Sequence, residues 1–162
     1  MRAFQLKISD VASVTGYTRF QIHGLLDEVF TGPTRAAKKA RSHRIFSPRD
    51  LIAITVVCEL ERKYGVKRSV LRSVGDPLRR ALTGPRNPNR EARLVVTFTP
   101  PTATYVEADA TVAEGVVLPL GPLFAKVDEY LGVAESGRDG GQAVLALRPA
   151  VVTNRSGGRN KV

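Results

Sequence analysis

The chain has 162 residues, is 43% hydrophobic, and carries 25 Lys and Arg against 15 Asp and Glu, a formal net charge of +10. That length supports one domain or two small ones of roughly 60 to 90 residues. No run approaches the ~18 consecutive apolar residues of a membrane span, and the first residues lack a charged-then-apolar leader, which points to a cytoplasmic protein. A single cysteine, Cys58, excludes an intrachain disulfide framework and a multi-cysteine metal site.

The charge is unevenly spread. Residues 1–90 hold 18 Lys and Arg against 7 acids, whereas residues 91–162 hold 7 against 8. Within the first half, residues 35–49 contain Arg35, Lys38, Lys39, Arg41, Arg44, Arg49 and His43 with no acid. Such a field favours a polyanion, because each neutralised phosphate releases condensed counterions.

In chain order, Ser9 and Asp10 are cap candidates for a helix through Thr15, with Ile8, Val11, Ala12 and Val14 on its apolar side and Gly16 ending it. Thr18 caps a second helix running to residue 27 or 28, with Tyr17, Ile22, Leu25 and Leu26 inward and Arg19, Gln21 and His23 outward. Two short helices separated by a glycine-containing turn form a helix-turn-helix pattern. In that motif the second helix shows its N-terminal polar residues to base edges, Arg to guanine and Gln to adenine. Residues 31–46 form a basic loop or short hairpin returning through Arg44, Ile45 and Phe46.

Ser47, Pro48 and Asp50 start a third helix that continues to Tyr64 through a nearly all-apolar run and stops at Gly65. Shorter helices are expected over 67–74 and over 77–82, the latter capped by Asp76. Residues 83–90, with Gly84, Pro85 and Pro88, are the expected linker. Beyond it the pattern turns to β: strands over 93–99 and 102–107 form a hairpin broken at Pro100 and Pro101, a short strand covers 116–120, and a helix covers 122–131. Residues 134–142 are glycine-rich and expected to be flexible, 143–147 form a late strand, and 149–162 form a basic tail.

The fold expected is therefore a mainly α N-terminal winged helix-turn-helix domain over 1–82, a linker over 83–90, a small α+β domain over 91–148, and the tail. The apolar faces of the second domain, Leu94, Val96 and Phe98 on a strand and Leu123, Phe124, Val127 and Leu131 on a helix, are expected to form a homodimer interface. No catalytic triad, carboxylate pair, Walker loop or glycine fingerprint is present, so no catalytic residue and no cofactor is expected. His23 has no ligand partners nearby in sequence, and Cys58 reads as a core residue.

Residues 6–74 resemble the winged-helix DNA-binding domain of the MerR family. The likeness is carried by Ile8-Ser-Asp-Val-Ala-Ser-Val-Thr-Gly16, by Thr18-Arg-Phe-Gln-Ile-His23, and above all by Ser42-His-Arg-Ile-Phe-Ser-Pro-Arg-Asp-Leu51, with Gly65 and Val66 before a further short helix. The resemblance implies double-stranded DNA as partner, contacted by Thr18, Arg19, Gln21 and His23 on the recognition helix. It also implies wing contacts from Arg35, Lys38, Lys39, Arg41, His43 and Arg44, and backbone contacts from Lys67 and Arg68. Phe20 stands where family members usually carry Arg, the wing is longer and more basic, and the family's long C-terminal dimerisation helix is missing. A sequence-specific transcriptional regulator acting as a homodimer on the nucleoid follows from this reading. Alternatives are an excisionase-like or architectural DNA-bending factor, or an adaptor whose C-terminal domain binds a protein or small-molecule effector.

Overall fold

The structure, a computed structural model, describes residues 5–30, 44–83 and 89–132. Among these the helices are α1 (Ile8–Thr15), α2 (Arg19–Val29), α3 (Pro48–Tyr64), α4 (Arg68–Thr83) and α5 (Gly121–Leu131), and the strands are β1 (Arg93–Phe98), β2 (Pro101–Val106) and β3 (Val116–Pro119). Helix-rich architecture with a small antiparallel sheet is thus what the chain adopts. No helix of the described residues is long and apolar enough to cross a membrane.

Helix α3 starts where local chemistry dictates. The Ser47 hydroxyl accepts the Asp50 N–H at 3.2 Å, the Asp50 carboxylate accepts the Ser47 N–H at 3.0 Å, and Pro48 occupies the first turn, where no N–H partner is needed. Its side chains Leu51, Ala53, Ile54, Thr55, Val56, Val57, Cys58 and Leu60 are buried around the whole circumference. The helix packs against α1, α4 and α5. The one hydroxyl in that run, on Thr55, donates to the Leu51 carbonyl at 2.7 Å, so no polar atom is left bare there.

The two helices expected over 67–74 and 77–82 are one. Pro77 lies inside α4, where it removes a backbone N–H that an uninterrupted helix would use. The helix persists because Leu71, Val74 and Leu78 form a buried stripe running across the proline, and because Gly75 lets α4 press onto the end of α2. A Cβ at residue 75 would collide with the Val29 carbonyl oxygen.

The sheet has β1 in the middle, order β2-β1-β3, antiparallel on both sides. Leu94 stands opposite Tyr105 and Leu118, and Val96 opposite Ala103 and Val116, so these side chains share one face. α4 packs on β1 and β2. On the other side, the Arg93 guanidinium donates to the carbonyls of Glu107, Ala108 and Ala110 and fastens the connection that follows β2. α5 lies against α3 and α1, and the Tyr130 hydroxyl donates to Asp10 Oδ1 at 2.7 Å. Asp10 also accepts the Lys7 N–H at 2.6 Å, so the cap is Lys7 rather than Ser9 and α1 begins two residues earlier than that cap implied. That N–H and the Tyr130 hydroxyl together hold its carboxyl below the usual range.

Two expectations are corrected by this packing. The boundary at 83–90 does not divide the core: Leu51, Leu71 and Leu78 belong to one hydrophobic cluster with Leu94, Val96, Leu118 and Val127. The expected dimer interface is inside the chain. Leu94, Val96, Leu123, Phe124 and Val127 are buried, and Phe98 and Leu131 are partly buried against the same core, because the strand face and the helical stripe are covered by the first half rather than by a second copy. The expected strand over 143–147, the glycine-rich segment and the basic tail lie outside the described residues.

Two outcomes follow from the packing. Gly75→Ala should lower the unfolding free energy by about 1–3 kcal/mol in urea titration, since backbone rather than a yielding side chain meets the new methyl. A chain ending at residue 85 should lack a cooperative thermal transition by circular dichroism, because it leaves the faces of α3 and α4 that meet α5 and the sheet uncovered.

Candidate nucleic-acid interface

The two helices expected to form a helix-turn-helix are α1 and α2, joined by the turn at Gly16. Gly16 has φ +74°, the left-handed value that ends α1, and its N–H bonds to the Ala12 carbonyl. Thr15 is buried; its hydroxyl donates to the Val11 carbonyl at 2.8 Å and accepts the Tyr17 N–H at 3.3 Å. Arg62 from α3 donates to the Thr15 carbonyl at 3.1 Å, so the last turn of α1 is pinned from outside the motif.

Thr18 caps α2 as expected, accepting the Gln21 N–H at 3.2 Å. The Gln21 side-chain carbonyl returns the bond, accepting the Thr18 N–H at 2.9 Å. Thr18 and Gln21, two of the four side chains expected to contact DNA from this helix, are therefore engaged in the cap, and a bidentate Gln–adenine pairing, which needs that carbonyl, is not available in this arrangement. Ile22, Leu25, Leu26 and Val29 are buried on the inner face. Arg19, Phe20 and His23 are exposed on the outer one. The first turn of α2 carries no acid, which leaves its positive dipole end open to an anion.

A small network fixes the tilt of α2. The Tyr17 hydroxyl donates to Glu61 Oε2 at 3.1 Å and approaches the Cys58 carbonyl at 3.3 Å. Arg68, at the start of α4, donates to Glu61 Oε1 at 2.9 Å and lies 3.6 Å from Glu28 of α2. Arg68 is thus an internal tie rather than a free phosphate contact, as is Arg44, whose guanidinium donates to Asp27 at 2.7 Å and is only 15% exposed. Lys67 stays exposed. Neither Tyr17 nor Glu61 was picked out by sequence reading as a tie, because its partners lie far off in the chain and leave no local pattern.

Arg35, Lys38, Lys39, Arg41 and His43 lie outside the described residues. The two points between which they run are described. Phe30 is buried at the end of α2, and Arg44 is bonded back to Asp27 on the same helix. Phe46 then exchanges backbone hydrogen bonds with Leu6 at 2.8 and 3.0 Å, an isolated antiparallel bridge just before α3. The described residues on either side of that segment, Phe30 and Arg44, are therefore both held at the end of α2.

Among the described residues no group of three or more His, Cys, Asp or Glu is arranged to hold a metal ion. Comparison with protein-family models, with curated proteins and with solved structures found no match.

Burial pushes the Tyr17 hydroxyl up to about 12, with the Cys58 and Glu61 charges adding to the effect, and burial likewise pushes the Cys58 thiol up to about 12. Both groups resist ionisation in the folded chain more than their ordinary values of 10.0 and 9.0 allow in the unfolded one. The stability they contribute is intact below pH 9 and is lost as pH rises toward 12. The urea midpoint should accordingly stay level up to pH 9 with respect to these groups and fall above it, and Tyr17→Phe should make that alkaline fall shallower.

Proposed function

We propose that the protein is a sequence-specific DNA-binding regulator, with a MerR-like winged helix-turn-helix over residues 6–74, acting in the cytoplasm on the nucleoid and performing no catalysis. One observation carries the reading: the outer face of α2 offers Arg19, Phe20 and His23 to solvent, while its far end anchors both sides of the basic segment. A recognition helix needs that combination, since base edges must be reached by a few exposed side chains and register must be held by cations on phosphates. The Leu6–Phe46 bridge supports the wing, because it gives the returning chain a strand partner before α3. In this reading Arg19 contacts a base edge, His23 and Lys67 line the groove and backbone, and Arg35, Lys38, Lys39, Arg41 and His43 contact phosphates.

Fluorescence anisotropy on a selected duplex and on random duplexes at several salt concentrations tests it. Replacing Lys38 and Lys39 together by Ala should weaken all duplexes alike and flatten the log–log salt dependence by roughly one unit per lost phosphate contact. Arg19→Ala should cost about 1–3 kcal/mol on the selected duplex and little on random DNA. Equal losses for both variants on both duplexes would remove the division between reading and anchoring.

A second reading, an excisionase-like or architectural factor whose copies assemble side by side along DNA, is favoured by a specific observation. The side chains that were to pair two copies are buried in the intrachain core. Sedimentation at micromolar concentration separates the two: a dimer free in solution supports a regulator on an inverted repeat, and a monomer that multimerises only on DNA supports the side-by-side factor.

A further inference from the structure

Phe20 is the most exposed of the large hydrophobic side chains among the described residues, 87% accessible. It is the second residue of α2, beside Arg19 and one turn before His23, both exposed. Four residues on stands Gly24, which offers the ring no side chain, and His23, three residues on, is itself exposed. The surface beside Gly24 is taken by Arg68, whose guanidinium nitrogen lies 2.9 Å from where a Cβ at residue 24 would be. An exposed aromatic ring beside Arg19 and His23, with Arg68 against the same helix at Gly24, suits a partner that is mostly anionic or polar with one apolar spot.

We propose that Phe20 is a base-reading residue whose ring lies against the 5-methyl group of a thymine in the major groove; the inference rests on the DNA-binding reading above. The thymine methyl is the apolar feature that the major-groove edges of the base pairs present, and Phe is among the side chains suited to it. Residues at the N-terminal end of a recognition helix are the ones that meet base edges. The Gln21 carbonyl is held by the Thr18 N–H, so recognition at this turn passes from an amide pairing to an apolar contact, with Arg19 supplying the adjacent charged donor.

The test uses the full-length chain and a pool of random duplexes. The enriched duplex is resynthesised with deoxyuridine in place of thymidine at one position at a time, which removes only the methyl, and affinities are read by fluorescence anisotropy. At one or two positions the wild type should weaken roughly three- to tenfold. Phe20→Ala should bind the parent duplex more weakly and be indifferent to uracil at those positions, while Phe20→Leu should keep part of the sensitivity. A wild type that selects a sequence yet ignores every thymine-to-uracil change, or a Phe20→Ala variant as sensitive as the wild type, overturns the inference and leaves the DNA-binding reading standing. Failure of the wild type to enrich any duplex overturns that reading and the inference with it.

Discussion

A carboxylate shared between three helical elements holds the exposed face of this protein in place. Glu61, near the end of α3, accepts from the Tyr17 hydroxyl in the turn before α2 and from the Arg68 guanidinium at the start of α4. Arg68 also approaches Glu28 near the other end of α2. An exposed ion pair contributes little to stability. The bonds of Tyr17 and Arg68 are partly buried and share the Glu61 carboxylate, and the more exposed Arg68–Glu28 pair adds a tie farther along α2, so their main effect is geometric: α2 cannot rotate about its axis without breaking them. The apolar contacts of Ile22, Leu25 and Leu26 fix how deeply α2 sits, and the Glu61 network fixes which way it faces.

The distribution of charge follows from the same arrangement. Several arginines of the basic half serve the fold itself. Arg44 ties the returning chain to α2, Arg49 donates to the Thr83 carbonyl at the end of α4, Arg62 closes the end of α1, and Arg79 meets Asp50 at 3.5 Å. None of these has its charge wholly unpartnered toward a ligand. Of the basic residues left exposed, Arg19 stands on α2 and Lys67 just before α4, while Arg72 and Arg80 face solvent along α4.

What sequence pattern made legible were features decided within a few residues. The Ser47-Pro48-Asp50 start of α3, the Thr18 cap of α2, the glycine ends at Gly16 and Gly65, and the hairpin of β1 and β2 all depend on neighbours along the chain, and all are present. What failed were judgements that depend on what a surface meets. Pro77 read as a helix break because its cost is local, whereas the stripe of Leu71, Val74 and Leu78 that overrides it acts through tertiary packing. Leu94, Val96 and the apolar stripe of α5 read as an intersubunit face because amphipathicity reports that a surface is covered and not by what. Gln21 and Arg44 are expected as DNA contacts by type and position, and the structure adds bonds to the Thr18 N–H and to Asp27 that type and position alone do not foretell. Phe20 stands out in the sequence only for its place where the resembled family usually carries Arg; its exposure depends on Ile22, Leu25 and Leu26 filling the opposite face of α2.

The meeting of Gly75 with the Val29 carbonyl has a bearing on how this protein can change over generations. Elsewhere in the core, spacing between helices is set by side chains, and a loss of volume on one can be matched by a gain on its neighbour. Where main chain touches main chain there is nothing to exchange. The crossing of α2 and α4 is therefore a fixed point around which the rest of the interior can drift, and the angle at which the outward face is carried is inherited more strictly than the residues displayed on it. Residues on that face can be replaced without disturbing the frame that carries them.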